Sequence, residues 1–121
     1  MKLIGDFFKV LDTSVSEAVF STTIELNPSH IVYSGHFPGY PVTPGVIQLQ
    51  IVHELLERQF DRKLKLINMP QCKFLKVLNP KETSQIVVNI EFENKERLIS
   101  IKAWGRNDTD IYFKFQSNYQ L

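Results

Sequence analysis

The apolar and polar positions divide the chain into three kinds of segment. Over residues 15–26 β-forming residues dominate, and Phe20, Thr22, Ile24 and Leu26 share one parity, as a strand with one buried face requires. Asn27-Pro28-Ser29 ends that run. Residues 33–44 hold Gly35, Pro38, Gly39, Pro41 and Pro44, too many breakers for a regular element, and predict a shaped loop. The period then changes to 3.6. Thr43 is placed as the N-cap, Pro44 at the first helical position and Gly45 at the second, and the helix runs to about Phe60. Leu49, Ile51, Val52, Leu55, Leu56 and Phe60 form its apolar half, Gln50, His53, Glu54, Glu57 and Arg58 a polar stripe, and Gln48 alone breaks the apolar arc.

Residues 63–78 read as extended structure interrupted at Pro70, followed by the turn Asn79-Pro80-Lys81-Glu82. A meander of three strands follows. Ile86, Val88, Ile90 and Phe92 alternate with polar neighbours, as do Ile99, Ile101 and Ala103, then Ile111, Phe113 and Phe115. Strands, one helix, then strands predict an α+β domain with the helix over one face of an antiparallel sheet, and 121 residues predict one domain, 1–121.

Composition narrows the function classes. Fourteen Lys and Arg against thirteen Asp and Glu give a net charge of +1, which offers no general attraction to nucleic acid or to an anionic membrane. No apolar run approaches a membrane helix and no long apolar signal region opens the chain, so a cytoplasmic protein is expected. The single cysteine, Cys72, excludes an internal disulfide and is expected to pack as a small apolar side chain. His30, His36 and His53 show no ligand spacing, so no metal is expected. His30 reads as a turn residue and Trp104 as a packing or subunit-contact residue.

Candidate chemistry concentrates in His36-Phe37-Pro38-Gly39-Tyr40-Pro41-Val42-Thr43-Pro44-Gly45-Val46. Pro38, Pro41 and Pro44 restrict the loop, so His36 can be held in one place. Gly45, at a helix start, has a backbone N–H with no intrahelical acceptor, backed by the positive end of the helix dipole. Such a donor is suited to polarising a carbonyl oxygen. A base beside a carbonyl clamp points to chemistry at the carbon next to a thioester or ketone.

This stretch resembles the 3-hydroxyacyl-acyl carrier protein dehydratases of fatty acid synthesis, which share the pattern His-Phe-Pro-Gly-x-Pro-x-x-Pro-Gly. At about 5% usage per residue type, a chance match to its seven fixed positions is on the order of one in a billion. Lys73-Phe74-Leu75-Lys76-Val77-Leu78-Asn79-Pro80-Lys81-Glu82 is similar to the family's Lys-Phe strand and following Pro-Gly-Asp turn, with Lys81-Glu82 in place of Gly-Asp. The resemblance covers essentially the whole chain. It implies the hotdog fold, an antiparallel sheet wrapped around one long central helix.

It also implies that His36 is the catalytic histidine and that the Gly45 N–H binds the carbonyl, with Phe37 and Pro44 beside it among the substrate-binding residues. The family's catalytic carboxylate, fourteen residues after the histidine, falls on Gln50, whose carboxamide cannot exchange a proton at useful pH. Glu54 follows one turn later, about 5.4 Å along the axis and leaning back, where family members often have Gln. Gln50 and Glu54 are therefore both candidate catalytic residues. For Glu54 and His53 the alternative is a solvated or subunit-contact stripe.

Lys73, Lys76 and Lys81, with Lys63 and Lys65 upstream, form a basic region that could dock an acidic carrier protein or be ordinary surface. No separate cofactor is implied, because the acyl chain would arrive on the phosphopantetheine arm of acyl carrier protein or on coenzyme A. A homodimer or higher oligomer is expected, since sheet edges and apolar faces remain to be covered. Three functions compete: a dehydratase-like lyase forming an enoyl thioester in fatty acid or related biosynthesis, a weak acyl-thioester-binding subunit pairing with an active paralogue in a heterodimer, and a hotdog thioesterase.

Overall fold

The computed structural model describes residues 2–34 and 41–121. In order the elements are β1 (Phe8–Val15), β2 (Val19–Leu26), a short 3-10 turn (Ile31–Tyr33), α1 (Gly45–Phe60), β3 (Lys65–Phe74), β4 (Gln85–Lys95), β5 (Leu98–Arg106) and β6 (Ile111–Gln120). One six-stranded sheet runs β1-β2-β4-β5-β6-β3, every neighbouring pair antiparallel.

The predicted parities hold where one face is covered. Phe20, Ile24 and Leu26 of β2, Ile86, Val88 and Ile90 of β4, Ile99, Ile101 and Ala103 of β5, and Phe113 and Phe115 of β6 enter one core cluster. They meet Ile47, Ile51, Val52, Leu55 and Leu56 from α1. Gln48, the interruption of the apolar arc, is buried with them.

The structure departs from the expectations in several places. Residues 15–26 divide between the end of β1 and β2, and most of β1 carries no sequence signal because its burial is aperiodic, with both faces largely exposed. The helix begins one residue later than expected. Pro44, with extended ψ of 148°, is the N-cap and makes no side-chain cap bond, and Gly45 is the first helical residue. Thr43 does not cap the helix because its hydroxyl is taken by Tyr33. Pro70 does not end the extended segment. It lies inside β3, where the register with β6 slips between Asn68 and Gln71, and an edge strand tolerates the missing donor. Cys72 is exposed rather than packed, since β3 is the last strand of the sheet and little covers it. His30 caps the 3-10 turn, its Nδ1 accepting from the Val32 N–H.

Candidate functional site

The approach to α1 is riveted at Thr43. Its N–H donates to the Leu78 carbonyl at 2.9 Å, its hydroxyl bonds the Tyr33 hydroxyl at 2.8 Å, and its carbonyl accepts Gln48 Nε2 at 3.0 Å. These anchors come from the turn before the loop, from the helix itself and from the segment after β3, so the helix start is fixed from three directions. Burial pushes the Tyr33 hydroxyl pKa up to about 12 against the opposing effect of the Thr43 bond, so at neutral pH it is a proton-bearing partner.

Gly45 is held for a reason the loop sequence does not state. A Cβ built on it would lie 2.6 Å from Cζ of Phe74, closer than packed atoms approach. The Phe74 ring, from the end of β3, therefore lies against the first helical residue, and it meets Phe115 in a T-shaped contact at a centroid separation of 5.6 Å. As the first residue of α1, Gly45 keeps an N–H without an intrahelical acceptor. Pro44, beside it, turns its carbonyl into the helix, accepting from the Ile47 and Gln48 N–H groups. The residues 35–40, which include His36 and Phe37, lie outside the described residues.

Gln50 and Glu54 meet on the polar stripe. Gln50 Nε2 donates to Glu54 Oε2 at 2.9 Å, and the same carboxylate accepts the backbone N–H groups of Leu3 and Ile4 at 2.8 to 2.9 Å. Both residues line an open groove of about 920 Å³ together with Ile4, His53, Glu57 and Lys2. His53 Nε2 lies 3.3 Å from Glu57 Oε2, which also accepts the Leu64 N–H at 2.7 Å. The His53 ring faces Tyr119 at 5.6 Å between centroids, and burial first, then Glu57, pushes the Tyr119 hydroxyl to about 12. The stripe is thus neither solvated throughout nor a row of independent groups. The sequence reading missed Thr43 as a rivet, Phe74 as the ring on Gly45, and the N-terminal segment as a wall of the groove. Only the buried-position Gln48, polar in an apolar arc, gave a signal for any of these.

The three lysines differ in their surroundings. Lys76 Nζ pairs with Asp110 Oδ2 at 2.9 Å, and this bond raises its pKa while lowering that of Asp110. Lys73 stands opposite Lys114 in the β3–β6 register, and Lys81 follows Asn79, whose Oδ1 accepts its N–H. Among the described residues no cluster of three or more His, Cys, Asp or Glu side chains is placed to hold a metal ion, and no helix is long and apolar enough to cross a membrane.

Comparison with known proteins adds the following. A family model described as ApeI-like, ApeI dehydratase, matches residues 12–116. No curated protein matches the sequence. Among solved structures, the dehydratase heterocomplex ApeI:P from Xenorhabdus doucetiae is 17% identical over 93% of this chain and 97% of that chain, with a TM-score of 0.74. A conserved protein from Pseudomonas aeruginosa is 12% identical over 94% and 88%, at 0.66. A mutant thioesterase from the same organism is 6% identical over 93% and 79%, also at 0.66. These neighbours share the hotdog fold, and the six-stranded antiparallel sheet with one helix described above fits it.

Proposed function

We propose, from the premise that this chain belongs to the ApeI-like dehydratase family, that it takes a 3-hydroxyacyl thioester and removes water to leave an enoyl thioester. The observation that carries the reading is the fixed start of α1, where three hydrogen bonds on Thr43 hold the chain just before Gly45, which follows the His-Phe-Pro-Gly motif in sequence. In this reading the Gly45 N–H polarises the thioester carbonyl and acidifies the hydrogens on C2. His36 takes a C2 proton, the C2–C3 double bond forms as the C3–O bond breaks, and the proton passes from His36 to the departing oxygen, so water leaves. Gln50 stands where the fatty acid dehydratases carry their carboxylate and holds the 3-hydroxyl without titrating. The substrate arrives on acyl carrier protein or coenzyme A, with Lys73, Lys76 and Lys81 meeting the carrier's acidic surface.

A second reading is favoured by the carboxamide itself: lacking an acid at position 50, the chain contributes half of a site whose acid comes from a paralogue. The relative from Xenorhabdus doucetiae is a heterocomplex, and here, among the described residues, β3 is the last strand of the sheet, with Leu66, Ile67, Phe74, Leu75 and Val77 exposed on or near it, a surface suited to a second hotdog chain, identical or not.

Incubation of the purified chain with a 3-hydroxyacyl carrier substrate, following enoyl product and free acid together, separates the readings. Enoyl product that is lost in His36→Ala supports the dehydratase. Free acid without enoyl product makes it a thioesterase. Inactivity relieved by Gln50→Glu supports the half-site.

A further inference from the structure

The face of the sheet turned away from α1 has its charges sorted. Alternation puts Lys102, Trp104 and Arg106 of β5, Lys114 and Gln116 of β6, and Gln71 and Lys73 of β3 on that face, opposite the core. Among the described residues, the outward positions of these three strands carry cations and no acid. Lys73 stands directly opposite Lys114, a like-charged pair that costs stability unless opposite charge is brought near it. The outward positions of β1, β2 and β4 carry Asp12, Glu25, Glu91 and Glu93 instead. Lys9 lies opposite Glu25 in the register and Lys95 lies 4.0 Å from Glu93, which leaves Asp12 and Glu91 in excess. Lys102 and Glu91 are register partners, yet among the described residues no ion pair joins them. The boundary between the two halves is the β4–β5 seam, which is also the middle of the strand order β1-β2-β4-β5-β6-β3.

We propose that this face docks the same face of a second copy of the chain, the two related by a two-fold axis that runs along the strands at the β4–β5 seam. Such an axis lays the basic half of each copy on the acidic half of the other, and brings Lys102 over Glu91 of the partner subunit. An axis across the strands would instead set each half on its own kind, cation against cation, so charge selects the first arrangement. Facing sheets pack about 10 Å apart with strands within roughly 30° of each other, which keeps the halves matched. Trp104, the chain's single tryptophan, sits half-buried beside the seam opposite Asn89, where a two-fold contact is centred. The face is also indented. A hollow of about 350 Å³ at Trp104 and Lys114 and one of about 500 Å³ at Glu91, Ser100 and Asn118 share Lys102 and Gln116, so side chains of a second copy have room to enter. This contact is independent of the thioester reading and of the β3 edge, and being polar it forms at higher concentration than an edge contact.

Two variants of the full chain test this. Glu91→Lys with Glu93→Lys makes the face basic throughout, and Lys102→Glu with Lys114→Glu makes it predominantly acidic. All four positions are exposed or at strand surfaces, and thermal unfolding of each variant checks that the fold is kept. Sedimentation velocity over a concentration series, at low and high salt, follows the mass of the native chain, of each variant alone and of the two variants mixed in equal amounts. The native chain should reach twice the mass that either variant reaches alone, with self-association of the variants weakened about a hundredfold or more. The mixture should regain the native mass, because each basic face then meets an acidic one, and high salt should lower the mass of both. Trp104 reports the same contact directly: its quenching by acrylamide should fall with concentration in the native chain and in the mixture, but not in either variant alone. Native mass in either variant alone, or a mixture that assembles no further than its components, overturns the proposal. Trp104 quenching that does not change as mass rises overturns it as well, since the association would then run through another surface such as the β3 edge.

Discussion

At the scale of single residues, contacts made by Thr43 and Gly45 decide whether the helix start is rigid. Thr43→Val removes a hydroxyl whose partner, the Tyr33 hydroxyl, is buried with it. Leaving that group unpaired should cost about 1 to 3 kcal/mol, and Thr43→Ser should recover most of the loss in chemical denaturation. Gly45→Ala pushes a methyl group into the Phe74 ring, 2.6 Å from Cζ before relaxation. Overpacking of that kind should cost roughly 1 to 3 kcal/mol, and Phe74→Leu in the same chain should relieve part of it. An unaltered unfolding midpoint for Gly45→Ala would show that the ring swings away freely. Gly45 is therefore constrained by packing as well as by the role the loop motif implies.

At the scale of elements, the far end of α1 is tied down by one side chain. Asp61 closes the helix in the left-handed conformation, φ 52°, and Glu57 reaches past it to accept the Leu64 N–H while meeting His53. Glu57 also acts on β6, since it is the second cause, after burial, of the raised Tyr119 pKa. Glu57→Gln should therefore lower that pKa, yet leave it above the ordinary tyrosine value of about 10, because burial is the larger cause. Ultraviolet titration of the phenolates, compared with a Tyr119→Phe control, measures the shift. A fall to the ordinary value would mean that charge, not burial, governs this ring.

The whole molecule carries two further expectations. Tyr33 and Tyr119 are both pushed to about 12 by burial. Above pH 10 the unfolded chain releases these protons while the folded chain keeps them, so folding stability is intact below pH 10 and falls between 10 and 12. The slope is at most about 1.4 kcal/mol per pH unit for each tyrosine. Denaturation midpoints across that window should fall, and the double variant to Phe should flatten the decline. The second expectation concerns assembly. Among the described residues β3 is the last strand of the sheet, with Leu66 and Ile67 exposed, so the chain should scatter light as a dimer at micromolar concentration or pair with a paralogue when the two are mixed. Ile67→Lys should weaken either association.

The kind and order of most elements could be read from the sequence because periodicity is a local property. Alternation marked β2, β4, β5 and β6, and the 3.6 period marked α1 together with its one polar intruder, Gln48. The loop motif brought the helix start forward as the place for chemistry. β1 and the exposure of Cys72 escaped for a common reason: edge strands have little burial to impose a period, so their residues carry no pattern. What only the tertiary structure decided is which groups meet. Tyr33 takes the hydroxyl that local rules assign to the helix cap, Phe74 fills the space that Gly45 leaves, and Glu54 binds backbone donors 50 and 51 residues away. A side chain's propensity depends on its neighbours in the chain. Its hydrogen-bond partner depends on which distant segment the folded core delivers to it.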